Sequence, residues 1–190
     1  CRGSPALKRF FIDAFAGVLI TDFSAPYEAV CAEDRQYCLV HLLRELETVD
    51  LRNDSPEWKA FARRLRRLLR AAIRLRQRAD FVPGKYQSRV DRLNRRLARM
   101  AAAEPVDADT RRLTKRLRRY AEYLLTFLDY ADVPYENNFA ERQIRPAVII
   151  RKNSLSNRSE RGASMQAVLM SVYRTLKLRG LNPTQTIAAA

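Results

Sequence analysis

Glycine, histidine and cysteine are scarce in this sequence, and each scarcity removes a class of chemistry. Five scattered glycines leave no glycine-rich loop to cradle phosphates. His41 is the single histidine, so Cys38-x-x-His41 is a half-site, and adding Cys31 does not complete a zinc tetrad. His41 is expected to be buried and hydrogen-bonded at a strand end. No Ser/His/Asp arrangement with recognisable local context occurs either. The three cysteines (Cys1, Cys31 and Cys38) are odd in number and sparse, which suits a reduced, cytosolic protein. No apolar run approaches the ~20 residues a membrane helix needs, and nothing resembles a signal peptide. A membrane partner is therefore not expected.

Charge is abundant, and it is unevenly placed. Apolar residues make up 47% and charged residues 30%, a composition that still folds around a core. Residues 57–119 hold 21 of the 36 basic residues but only 6 of the 21 acidic ones. The whole net charge of +15 therefore sits in this central block, and the remainder balances. A polyanion-binding module inserted into an electrically neutral domain fits that asymmetry. A solvated, arginine-rich helical surface is the alternative.

The apolar pattern divides the chain. Residues 5–14 read as a helix with Pro5 in its first turn. Gly17 to Thr21 is a short apolar run that suits a buried strand ending at Asp22, an edge where α/β folds place site residues. A short helix is expected over Tyr27 to Cys31, a second strand over 36–41, and a helix over Leu42–Val49. Trp58, Phe61, Leu65, Leu68, Ala72 and Leu75 are then spaced 3, 4, 3, 4, 3. Tyr86, Val90, Leu93, Leu97 and Met100 repeat the stripe, as do Leu113, Leu117, Tyr120, Leu124 and Phe127. Three rods of ~30 Å each are predicted, packed as a helical hairpin or three-helix bundle. Trp58 or the seams could also serve dimer contacts. A further helix is expected from Asn138 to about Ile149, kinked or ended early by Pro146. A basic loop follows over Arg151–Arg161, and a last helix over Gly162–Leu178 is stopped by Gly180 and Pro183.

The stretch PYENNFAERQIRP, residues 134–146, holds the central ambiguity. Asn138 and Glu141 have the spacing of a capping box. Equally, Glu141 could join Asp22 in binding a divalent cation, since two converging carboxylates need a proton or a cation between them. Mg²⁺ is the hard, oxygen-seeking candidate, and paired ions could clamp an in-line phosphoryl displacement. Asn137, Asn138, Arg142, Arg145, Arg151 and Lys152 surround Glu141 with groups suited to sugar and phosphate contacts. A structural Glu141–Arg145 pair is the competing reading.

The string Asn137-Asn138-Phe139-Ala140-Glu141-Arg142-Gln143-Ile144-Arg145-Pro146, with Arg151-Lys152-Asn153-Ser154 downstream, closely resembles the C-terminal signature of the insertion-sequence 66 family of bacterial transposases. The tail resembles it too, from Ser159-Glu160-Arg161-Gly162-Ala163 through residues 171–178 to Gly180-Leu181-Asn182-Pro183. Upstream, Gly17-Val18-Leu19-Ile20-Thr21-Asp22 with Tyr27, then Cys38-Leu39-Val40-His41, is similar in the same order. The resemblance implies an α/β, mostly helical chain: a partial ribonuclease-H-like core interrupted by an α-helical insertion. The parts would be 1–50 with the second acid, 51–130 as the basic insertion, and 131–190 with the catalytic Glu. It implies DDE chemistry, in which two aspartates and a glutamate bind Mg²⁺ or Mn²⁺ to cleave and join DNA strands. Asp22 then looks like the second acid and Glu141 the third, with Cys38 and His41 packed beside the site.

Two departures accompany the resemblance. No strand-borne Asp precedes Asp22 (Asp13 falls on the expected first helix), and Glu136 stands where the family usually has Asp. The family's upstream cysteine-rich DNA-binding segment is also missing, and the chain starts on Cys1. A piece of a longer protein, with its first acid upstream of residue 1, or a decayed element is expected. Alone, these residues are expected to be catalytically inactive. The partners expected are double-stranded DNA, at element ends and target, and further copies of the chain, in the bacterial cytoplasm on the nucleoid. The competing expectations are a non-catalytic DNA-binding or DNA-bridging remnant, and a basic helical assembly module with no DNA role. On the catalytic reading, Glu141 faces Asp22 rather than the amide of Asn138.

Overall fold

The computed structural model describes residues 7, 11, 13–78, 82–153 and 157–189. Among the described residues the chain is mostly helical with one two-stranded sheet, and it divides into two compact units, Cys1–Asn137 and Asn138–Ala190.

In the first unit, β1 (Phe15–Thr21) pairs in parallel with β2 (Ala32–Tyr37), Leu19 opposite Arg35 and Thr21 opposite Tyr37. The register slips between Phe15 and Val18, and Gly17 takes a φ of 114° there, a conformation that side chains disfavour. A 3-10 helix over Ala25–Ala29 links the strands. The Arg35 guanidinium holds that link by donating to the carbonyls of Tyr27 and Val30. The helix expected over 5–14 lies largely outside the described residues, although Asp13 and Ala14 are already non-helical.

The second strand departs from the sequence reading. It ends at Tyr37, and α1 runs over Leu39–Asp50, so Cys38 is an extended N-cap and His41 sits in a helical first turn. Leu39, Leu42, Leu46 and Val49 are all buried, and that 3-4-3 spacing decides the helix over the short apolar run at its start.

Three longer helices follow: α2 (Pro56–Gln77), α3 (Pro83–Ala101) and α4 (Ala108–Tyr120). The apolar stripes predicted for them are core. Leu65, Leu68, Leu97, Leu113 and Leu117 are 0–1% exposed, and α1 adds its buried face to the same cluster. Each such leucine contributes roughly 1.5–3 kcal/mol of burial. Trp58 is fully buried and its indole N–H donates to Asp50 at 2.9 Å, so it is part of this core.

The third stripe does not remain α-helical to Phe127. After Tyr120 the chain tightens into 3-10 turns at Ala121–Tyr123 and Thr126–Leu128, though Leu124 and Phe127 stay fully buried. The fully buried Gln36 of β2 accounts for the change. Its Nε2 donates to the carbonyls of Tyr37 (2.6 Å) and Leu124 (3.0 Å), and its Oε1 accepts from the Phe127 N–H (2.8 Å). The Leu39 N–H donates to the Tyr135 carbonyl at 2.9 Å. The beginning and end of the helical block thus meet beside β2.

The helix ends are tied by side chains. Ser55 caps α2 by accepting from the Trp58 N–H, and Asp107 caps α4 by accepting from the Thr110 N–H at 2.8 Å. Asp107 also accepts from Asn53 and from the hydroxyls of Ser55 and Thr110, while Glu57 accepts from the N–H groups of Val106 and Asp107. Burial raises the Asp107 carboxyl, but the hydrogen bonds from Thr110, Asn53 and Ser55 outweigh it and bring it to about 2.

The second unit holds α5 (Asn138–Asn153), α6 (Glu160–Leu178) and α7 (Pro183–Ala188). Pro146 neither ends α5 nor shortens it: the Arg142 carbonyl forgoes its partner and the helix continues to Asn153. Arg151 and Lys152, expected in a basic loop, therefore lie on the last turn of α5. Residues 154–156 of that expected loop are outside the described residues. Ser159 caps α6 on the Gly162 N–H at 3.1 Å. Gly180, at φ 73°, closes it as Leu181 N–H reaches the Leu176 carbonyl and Gly180 N–H that of Lys177.

Two stability predictions follow from these ties. Replacing Gln36 with Leu strands the Phe127 N–H and the Leu124 carbonyl, and is expected to remove roughly 1–3 kcal/mol in urea unfolding. An unchanged midpoint would show the amide to be dispensable. Asp107→Ala is expected to cost about 1–2 kcal/mol at neutral pH. A depressed carboxyl stabilises above its ordinary value of 3.8 and loses that contribution as pH falls through about 2. The gap in melting temperature between wild type and variant is thus expected to close over that interval, and a pH-independent gap would contradict the assignment.

Candidate active site

Asp22 follows the last residue of β1, and Cys38 follows the last residue of β2. Because the strands are parallel, both lie at the same C-terminal edge of the sheet, and the Cys38 N–H donates to the Thr21 carbonyl at 2.8 Å. Open α/β sheets place ligands at this edge. The Asp22 Oδ1 accepts from the Ser24 N–H at 3.0 Å, which orients the half-buried carboxylate, while Oδ2 takes no hydrogen bond among the described residues. One oxygen thus positions the group.

Aromatic packing fixes the turn after Asp22. Phe23 stacks on Tyr37 with ring centroids 5.1 Å apart and an interplanar angle of 9°, and Tyr120 packs against both rings. The Arg116 guanidinium lies 5.1 Å above the Phe23 ring. Glu28 accepts from Arg119 and from the Tyr120 hydroxyl. Burial first, then the hydrogen bond and charge of Glu28, push the Tyr120 hydroxyl up to about 12, so it remains a donor. The sequence reading missed this group, apart from placing Tyr120 in a helical seam. Its available signal was the cluster of aromatics flanking Asp22 and the end of α4.

Cys38 is fully buried and unbonded to another cysteine, as a packing residue beside the edge would be. His41 is half-buried in the first turn of α1, not at a strand end as expected.

In the second unit Asn138 opens α5 and Glu141 stands half-buried in its first turn. Arg142, Arg145 and Lys152 recur at helical spacing and share one face over ~15 Å. All three, with Arg151, are exposed and enter no ion pair among the described residues. Arg151 lines a groove of about 270 Å³ with Ile144, Val148, Asn157 and Gln166, and Arg174 of α6 donates to Gln143 of α5. Asn137, the last residue of the first unit, has a buried Oδ1 without a partner among the described residues.

Asp22 thus belongs to the first unit and Glu141 to the second. Among the described residues no cluster of three His, Cys, Asp or Glu side chains stands ready to hold a metal ion. The chemistry of Asp22 fits one position in a hard-cation donor set. The set as described is incomplete.

Residues 2–165 match the family described as Transposase IS66 family. The chain belongs to the IS66 family of transposases. A stretch of 69 residues is 39% identical to the uncharacterized protein y4qI of Sinorhizobium fredii (strain NBRC 101917 / NGR234), covering 34% of this chain and 13% of that protein. The chain therefore spans a small part of that relative's length. No solved structure matches it. Among the described residues no helix is long and apolar enough to cross a membrane.

Burial separates the two described thiols. Alkylation of the native protein is expected to label exposed Cys31 and spare Cys38, read by peptide mass mapping. Comparable labelling of both would remove Cys38 from the packed edge.

Proposed function

We propose that this chain is part of the catalytic region of a DDE-type DNA transposase, with Asp22 and Glu141 supplying two of the carboxylates of one Mg²⁺ or Mn²⁺ centre. The observation that carries the reading is the family match combined with Asp22 at the C-terminal edge of a parallel strand pair, one carboxylate oxygen unbonded. The bound cation would supply activation of water, and then of a freed 3′-hydroxyl, for attack on DNA phosphodiesters. Asp22 and Glu141 would hold it; Asn137, Asn138, Arg142, Arg145, Arg151 and Lys152 would seat the sugar-phosphate backbone; Cys38 and His41 would pack behind. A further carboxylate, outside those described together here, completes the donor set. On this reading the fold is ribonuclease-H-like and interrupted by a helical insertion, in three parts, 1–50, 51–130 and 131–190. Its partners are double-stranded DNA and other copies of the chain on that DNA, in the bacterial cytoplasm at the nucleoid.

The test is Mg²⁺- or Mn²⁺-dependent nicking of terminal-repeat DNA by the full-length parent protein. Asp22→Asn and Glu141→Gln are each expected to lower the nicking rate by at least about 100-fold while leaving DNA binding in place. Full activity in Glu141→Gln would end the assignment. The concentration of net charge in residues 57–119 also fits a second reading, a non-catalytic DNA-binding or DNA-bridging remnant. It predicts steeply salt-dependent binding with no metal-dependent cleavage in the full-length protein.

A further inference from the structure

The surplus charge of the central block is not spread evenly over its surface. Arginines of α4 and its neighbours are consumed internally: Arg112 and Arg116 meet Glu45, Arg118 meets Glu104, Arg119 meets Glu28, and Arg66 of α2 meets Asp50. The facing surfaces of α2 and α3 differ. At one end of this helix pair a groove of about 340 Å³ is walled by Arg74, Arg78, Arg89 and Arg92 over Ala71, Leu75 and Leu93. At the other end a groove of about 640 Å³ is walled by Arg64, Arg67, Arg96 and Arg99 over Phe61 and Met100. Among the described residues Arg64, Arg67, Arg74, Arg78, Arg92 and Arg96 enter no ion pair. The second groove also has two carboxylates, but Glu57 is held by the N–H groups of Val106 and Asp107, and Glu104 by Arg118.

We infer that the α2–α3 cleft is a cradle for the phosphate backbone of duplex DNA, distinct from the acidic positions and read without regard to sequence. Arg64 to Arg74 span ~15 Å along α2, with Arg78 just beyond its end, a length comparable to the axial rise of about four to five base-pair steps of duplex DNA. Guanidiniums set three and four residues apart repel one another, and a row of phosphates removes that repulsion through paired N–H donors. The floor offers bases nothing to stack on: Phe61 is 8% exposed and Trp58 fully buried, so the stacking that single-strand binders use is missing. The cradle depends on the transposase reading only for the identity of the polymer.

The experiment uses this chain and a random-sequence duplex about 30 base pairs long, followed by fluorescence anisotropy across a salt series without divalent metal. Replacing Arg67, Arg74, Arg92 and Arg96 with Gln is expected to lower the slope of log affinity against log salt by roughly 3–4, while the helical circular dichroism is retained. Replacing Arg44, Lys115, Lys177 and Arg179 with Gln removes the same charge elsewhere and is expected to change the slope by less than about 1. Equal slopes for the two variants would overturn the cradle. A single strand of equal length bound as tightly as the duplex would overturn the duplex assignment, as would displacement of DNA by polyglutamate at equal charge. Nicking retained by the full-length Glu141→Gln protein would count against the catalytic reading alone, because the binding measured here uses no divalent metal.

Discussion

One buried amide joins the two halves of the first unit. Gln36 sits in β2 and satisfies a carbonyl and an N–H some ninety residues later, at Leu124 and Phe127. A polar side chain with no exposure is tolerable only when its hydrogen-bonding groups find partners, so the strand and the returning chain specify each other. The whole helical block is an excursion that must close at this point. The backbone bond from Leu39 to Tyr135 closes it a second time. The edge that carries Asp22 is therefore held by residues from both ends of the excursion.

Within that excursion, charge has two physical roles. On α4 it is structural: the arginines turn toward Glu45, Glu104 and Glu28 and help seat the helix against α1 and the strand edge. Such half-exposed pairs are individually weak and act mainly as orienting contacts. The two carboxylates that line the α2–α3 grooves are already engaged, Glu57 by backbone N–H groups and Glu104 by Arg118, and Asp91 of α3 accepts from the Gln87 amide. A composition that reads as one basic block thus resolves into a neutralised side and an open side.

The heptad stripes were legible because helical burial repeats locally, and all three fall in one core. The strand ending at Asp22 was legible for the same reason, as a short apolar run with a polar stop. The second strand was misplaced because Leu39 and Val40 look like strand residues until paired with Leu42, Leu46 and Val49 one turn apart. The 3-10 turns after Tyr120 were not legible, since they answer to Gln36, far away in sequence. The helix through Pro146 was legible from Asn138 onward but runs to Asn153, a few residues past the expected end near Ile149, because losing one backbone hydrogen bond is not enough to stop it. For the site, the aromatic packing around Asp22 was not legible, because it arises only from tertiary contact between residues far apart in sequence.

Phe23, the residue after Asp22, is gripped on one face by Tyr37 and on its flank by Tyr120, with Arg116 above it. Two of those three partners belong to α4, the helix that ends the basic block. Packed rings transmit displacement because they have no slack to absorb it. The turn that carries Asp22 and the C-terminal end of α4 therefore share one set of packed rings, so the carboxylate's backbone is seated on the helical block rather than on the sheet alone.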